Sequence, residues 1–232
     1  QYSFKRMPNF IVPRSGMSAT VLQDGRVLFI GGNDNSDLSL KSTEIYDPKT
    51  NKFYKAGDLN EARTFHAAIL LKNGDVLVTG GNKYEKGKGR TSLKSAEIYK
   101  TKENKFVKVN DMQEVMLLHK MYMLKNNNIV VLESPNEIQI FDIKTDTFKK
   151  MQGIPYDSIG CSYKFVEMND DEILMYPFYY QQGKTPIVVF NKKDLSLKKL
   201  DINPFQNIKY NTNLSQTDRK STRLNSSHIP LS

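Results

Sequence analysis

The amino-acid sequence predicts an all-β repeat fold, a succession of four-stranded antiparallel units, and three observations support it. Segments recur about every fifty residues, each recurrence holds four short apolar or alternating runs, and turn residues bound those runs. No run has the length and period of a helix.

The recurrence is direct in the first two units. Asp24-Gly25-Arg26-Val27-Leu28-Phe29-Ile30-Gly31-Gly32-Asn33 returns as Asn73-Gly74-Asp75-Val76-Leu77-Val78-Thr79-Gly80-Gly81-Asn82, an offset of 49. Ser42-Thr43-Glu44-Ile45-Tyr46-Asp47 returns as Ser95-Ala96-Glu97-Ile98-Tyr99-Lys100, and Thr50-Asn51-Lys52-Phe53 as Glu103-Asn104-Lys105-Phe106, both at 53. The four added residues fall in the intervening loop, where insertions are tolerated. A third unit runs through Ile129-Val130-Val131-Leu132, Ile140-Phe141-Asp142 and Thr147-Phe148, with Glu133 and Ser134 in place of the glycine pair. A fourth, weaker still, runs through Asp170 to Tyr176, Val188 to Asn191 and Leu195 to Leu200. Phe4 and Met7 fit the closing strand of a preceding unit.

Within the first unit, strands are expected near 17–22, 26–31, 43–47 and 52–55, where Asp-Gly, Gly-Gly and Asp-Pro turns reverse the chain. Four strands at a period of about 50 residues is what a β-propeller blade requires. The chain therefore divides into a closing strand and linker (1–12), blades at 13–60 and 61–113, degenerate blades at 114–154 and 155–202, and a lead-in to another (203–217). It reads as an incomplete ring of about four four-stranded blades.

Residues 218–232 stand apart. Asp218 to His228 resembles the direct translation of a short-read sequencing adapter, and the stretch has no periodicity and no counterpart in the repeats. It is expected to be a non-native, passive tail, with Thr217 about the last natural residue; without it the charge falls from the +9 of the whole sequence to +7.

Composition narrows the function classes. No apolar run reaches the roughly 18 residues of a membrane helix. Cys161 is the single cysteine, so this sequence holds no internal disulfide and no thiolate zinc cluster. Lysine outnumbers arginine 27 to 7 and is spread evenly, the pattern of a solvated surface rather than a nucleic-acid footprint. Localisation stays open.

The doublets Gly31-Gly32 and Gly80-Gly81, followed by Tyr46 and Tyr99 and then by Phe53 and Phe106, resemble the kelch repeat. The resemblance covers residues 3–200, although Phe replaces the family's usual Trp and the last two units lack the doublet. It implies a kelch-type propeller in which the doublet admits a neighbouring blade and the aromatics, with Phe141 and Phe148, fill the space between blades. Kelch-like copper oxidases use paired His and Tyr with a Cys–Tyr crosslink; here Cys161 lies near Tyr163, but a buried cysteine is the plainer reading. The sequence has no nucleophile elbow, phosphate loop or zinc helix, and Gly87-Lys88-Gly89 reads as a flexible basic loop. Neither catalytic residue, metal nor cofactor is expected.

One constellation remains. Met17, His66, His119 and Tyr163 occupy equivalent positions at the start of the innermost strands, and Arg14 and Arg63 lie three residues earlier. Kelch geometry would set them around one mouth of the channel, where they either brace the loops and cap the strands or form a cationic binding mouth with Lys83 and Arg90. The expected function is a non-enzymatic scaffold for a protein or acidic glycan, through interblade loops and the channel mouth, without nucleic acid. The alternative is a carbohydrate-active enzyme, a galactose-oxidase-like oxidase or a sugar isomerase.

Overall fold

The computed structural model of the chain describes residues 8–156, 162–179 and 184–200. They form four antiparallel four-stranded sheets and a two-stranded ribbon, with no helix among the described residues. The first sheet comprises β1 (Ser18–Val21), β2 (Val27–Ile30), β3 (Thr43–Asp47) and β4 (Lys52–Lys55) in sequential order. In the second, β5 (Ala67–Leu70) and β6 (Val76–Thr79) are followed by the ribbon β7 (Asn82–Glu85) and β8 (Gly89–Ser92), then by β9 (Ala96–Lys100) and β10 (Lys105–Lys108). The third holds β11 (Lys120–Met123), β12 (Ile129–Leu132), β13 (Ile138–Asp142) and β14 (Thr147–Lys150). The fourth holds β15 (Tyr163–Glu167), β16 (Glu172–Pro177), β17 (Ile187–Asn191) and β18 (Leu197–Leu200). Each sheet is one blade, and the fold is a kelch-type β-propeller architecture.

Period-two geometry sends alternate side chains of a strand to opposite faces, and the middle strands are apolar on both. Val76 and Val78 pack with Leu28, Ile30 and Ile45 of the first blade, whereas Leu77, between them, packs with Ile129, Val131 and Phe141 of the third. Val130 and Leu132 turn the other way, onto Ile173, Met175 and Phe190 of the fourth. Three apolar cores thus lie between four consecutive sheets.

The aromatics of the third and fourth strands meet in register. Tyr46 faces Phe53, Tyr99 faces Phe106 and Phe141 faces Phe148, with ring centroids 5.2, 4.9 and 4.8 Å apart. Tyr99 and Phe106 pack against the first blade, Phe141 and Phe148 against the second. Phe53 is only half-buried and meets Phe10 and Phe29.

Gly31 and Gly80 show why the doublets exist. Both have positive φ, and a Cβ on Gly31 would stand 2.4 Å from the Arg63 carbonyl oxygen, one on Gly80 2.9 Å from His119 Cε1. Both obstacles belong to the next blade or its lead-in, backbone at Gly31 and side chain at Gly80, so the second strand leaves its sheet directly against its neighbour. Where the third blade has Glu133 and Ser134, neither has positive φ, and the connection to β13 is short.

The Gly87-Lys88-Gly89 segment, expected from sequence as a flexible basic loop, lies at the tip of a two-stranded ribbon. Gly87 and Gly89 have positive φ and turn β7 into β8, a hairpin that the insertion in the second unit builds. Phe4, Met7, Cys161, the 203–217 lead-in and the 218–232 tail lie outside the described residues.

Candidate functional site

Antiparallel order places the starts of β1, β5 and β11 on the same face as the ends of β2, β6 and β12. On this face lie the loops after the glycine doublets and the residues picked out by sequence. The hairpin and the 33–42 loop touch directly: Ser39 N–H donates to the Tyr84 carbonyl at 3.0 Å, and Tyr84 N–H to Ser39 Oγ at 2.9 Å.

Arg63 is completely buried. Its Nη1 donates to the Gly80 and Ser95 carbonyls at 2.8 and 3.0 Å, and its Nη2 to Ser95 Oγ and Glu97 Oε1 at 2.9 and 3.0 Å. Glu97 in turn accepts the backbone N–H groups of Asn60 and Glu61 at 2.8 and 3.0 Å. The same latch stands one blade earlier: Arg14 reaches Gly31, Ser42 and Glu44, and Glu44 accepts the N–H groups of Ile11 and Val12. The Arg14–Glu44 pair closes at 2.7 Å between wholly buried side chains. Each latch ties the segment leading into a blade to that blade's third strand, and a buried charge is stable there because it is both paired and hydrogen-bonded.

The histidines are enclosed too. His66 Nε2 lies 2.8 Å from Ser18 Oγ of the first blade, and its Nδ1 is buried without a hydrogen-bond partner among the described residues. His119 Nε2 lies 2.7 Å from Thr79 Oγ1 of the second blade, and its Nδ1 is 3.0 Å from the Met116 carbonyl oxygen. Burial lowers their pKa values, to about 3 for His66, with Arg63 adding to the effect, and to about 4 for His119. Both are therefore neutral at pH 7. Tyr163 is buried and donates its hydroxyl to the Pro186 carbonyl at 3.0 Å.

The structure thus surrounds Arg14, Arg63, His66, His119 and Tyr163 with protein. The other two expected residues lie on the hairpin. Lys83 is half-buried and pairs with Glu85 at 3.1 Å, holding that carboxyl below its usual pKa. Arg90 is exposed and has no ion pair among the described residues.

Sequence reasoning missed what this face exposes. Gly16, Phe65 and Leu118 occupy the same place in three successive blades, and all have positive φ: 65°, 52° and 56°. Gly adopts this conformation freely, but a bulky side chain is strained in it. Phe65 is nevertheless 51% exposed and Leu118 63%. Leu117 beside it is exposed as well, as are Phe178 and Tyr179 where the fourth blade's second strand ends. The only signal in the sequence was that Gly16 has apolar counterparts. Among the described residues, no three His, Cys, Asp or Glu side chains converge as metal ligands.

Comparison with known proteins agrees with this architecture. The Kelch motif family matches residues 13–60. The spermatocyte protein spe-26 of Caenorhabditis elegans is 26% identical over 177 residues, 70% of this chain and 30% of its own length. Kelch-like protein 34 of Homo sapiens is 27% identical over 57% of this chain and 21% of its own length, and Kelch-like protein 23 of Mus musculus is 36% identical over 33% and 13%. The chain spans less than a third of these relatives. Among solved structures, one titled "Structure of YjhT" superposes with a TM-score of 0.61 at 13% identity over 84% of this chain and 67% of that one, a likeness of fold alone. The chain thus carries a Kelch motif at residues 13–60 and is similar to Kelch-like proteins in sequence and to a solved propeller in fold.

Proposed function

We propose that the chain is a non-enzymatic scaffold that binds a protein partner across the face carrying the 33–42 loop and the β7–β8 hairpin. The observation that carries this reading is the strained, exposed pair Phe65 and Leu118. A strained backbone costs on the order of 1–3 kcal/mol and persists only where the surrounding structure enforces it, typically at functional positions. Gly16 fills the same place without strain. Apolar side chains held outward on successive blades suit the anchors of a protein interface better than a glycan, whose hydroxyls would ask for polar partners. The similarity to Kelch-like proteins supports a scaffold, and Lys86 and Arg90 at the margin favour an acidic partner over a basic one.

The test uses full-length protein with a photo-crosslinking phenylalanine at position 65 to identify the partner, then affinity measurements on Phe65→Gly and Leu118→Gly. Binding should weaken at least tenfold for each. Folding stability should hold or rise, because glycine relieves the backbone strain. Undiminished affinity in both variants overturns the reading.

A further inference from the structure

We propose that the outer edge of β8 is a second docking site, which takes an extended acidic segment of a partner protein as a third strand on the β7–β8 ribbon. The inference rests on the protein-scaffold reading above but uses different residues and a different kind of contact.

Hydrogen-bond alternation fixes which groups of β8 face outward. Along β7, Asn82 exchanges both backbone bonds with Thr64, at 2.8 Å each, and Tyr84 uses its N–H and carbonyl on Ser39. Both residues therefore turn their backbone groups away from β8. Their register partners, Ser92 and Arg90, must then turn theirs away from β7, since an antiparallel pair either exchanges both bonds or neither. β8 is the last strand of its sheet, so among the described residues these groups form an unpaired edge. Gly89, Arg90 and Thr91 are exposed along it.

An exposed edge is a template for another strand, and charge decides which one. The hairpin carries Lys83, Lys86, Lys88 and Arg90 against the single acid Glu85. Lys83 and Lys88 lie 3.1 and 3.8 Å from that carboxylate, leaving Lys86 and Arg90 with no ion pair among the described residues. A second copy of this cationic edge is repelled, the ordinary protection of an edge strand. An acidic strand is attracted by the same charges. The ladder is short, with Arg90 and Ser92 supplying its hydrogen bonds, so charge contributes much of the attraction and makes it sensitive to salt.

The test titrates the full-length protein with a fluorescent seven-residue peptide of alternating Glu and Val. Its controls are the Lys–Val peptide and a Glu–Val peptide N-methylated at every residue, which keeps the charge and loses every donor. The Glu–Val peptide should bind, its affinity should fall at least tenfold on raising salt from 50 to 500 mM, and both controls should fail. Amide exchange at Arg90 and Ser92 should slow when the peptide is present. Arg90→Gln should weaken binding about three- to tenfold, and Arg90→Pro, which also removes the outward N–H, further still.

Equal binding of the N-methylated peptide, or unchanged exchange at Arg90, reduces the edge to a charged patch and overturns the proposal. So does equal binding of the Lys–Val peptide. The exchange measurement needs no substitution, which guards against a variant that unravels the hairpin. Phe65→Gly should leave the titration untouched. Undiminished partner affinity in Phe65→Gly and Leu118→Gly with peptide protection of Arg90 intact would sink the scaffold reading's anchors and keep the edge, and weakened partner affinity with no peptide protection of Arg90 would sink the edge alone.

Discussion

The second and third blades solve one problem in two ways. Where the second has Arg63 and Glu97, the third has Met116 and Gln139, both buried. Gln139 Oε1 accepts the Gln113 N–H at 2.8 Å, as Glu97 accepts those of Asn60 and Glu61, and its Nε2 donates to the Glu114 carbonyl at 3.4 Å. Met116 fills the arginine's place within the apolar core between the blades. The third blade has neither the carboxylate nor the guanidinium, and either one alone would be an unpaired buried charge. The hydroxyls follow the same rule. Tyr99 donates to Asn104 in the β9–β10 turn at 2.7 Å, and the third blade has Phe141 with Asp146 at the matching turn.

Breaking the pair on one side should have the largest effect. Arg63→Met or Glu97→Gln alone should cost about 3–5 kcal/mol in urea melts, the usual loss when a buried charge is stranded. The double variant, which copies the third blade, should recover most of that loss. If the two single losses simply add, the pair is not a unit and the comparison fails.

The aromatic cores rank next. Phe106→Ala should cost about 3–5 kcal/mol, whereas half-buried Phe53→Ala should cost about half as much, by the same denaturant measurement. Equal losses would show that the inner packing of the second blade is no tighter than the exposed flank of the first.

Titration sharpens the contrast further. His66 and His119 have pKa values depressed in the fold, so below pH 6.5 the unfolded chain takes up protons that the native chain refuses, and stability falls as pH drops toward 4. Glu133, in the glycine position of the third blade, is pushed by burial up to about 7, so its contribution runs the other way and is lost as pH rises from 4.5 to 7. His119→Asn should flatten the stability profile between pH 4 and 6.5, and Glu133→Gln should steepen it. The smallest effect belongs to the opposite rim: exposed Lys102→Ala should change stability by no more than about 0.5 kcal/mol.

Much of this was legible in the sequence, for definite reasons. Strand positions followed from turn residues and apolar runs, and the glycine doublets marked where one blade passes beneath the next. The site was less legible. The offsets aligned Arg14 with Arg63 and His66 with His119, but a linear sequence shows position and not depth. Glu44 and Glu97 recur at the offset of 53 that follows the loop insertion, as the arginines recur at 49 before it, and the joint replacement of both residue types in the third unit was the available clue to an internal pair. Phe65 and Leu118 carry no sign in the sequence that their backbones are left-handed. The hairpin went unread because its strands are short and polar, so neither alternation nor apolar run marks them.

The latch also bears on how such a chain grows by duplication. Every group that closes the second blade's latch, from Asn60 through Arg63, Gly80 and Ser95 to Glu97, lies within one stretch of fewer than forty residues. A copied blade that starts at Asn60 and runs on through β10 arrives with its own lock, and an apolar flank is what it asks of the recipient. The heritable module therefore begins upstream of the first strand, at the segment the latch holds, and a cut made at the strand itself would leave the carboxylate behind with nothing to grip.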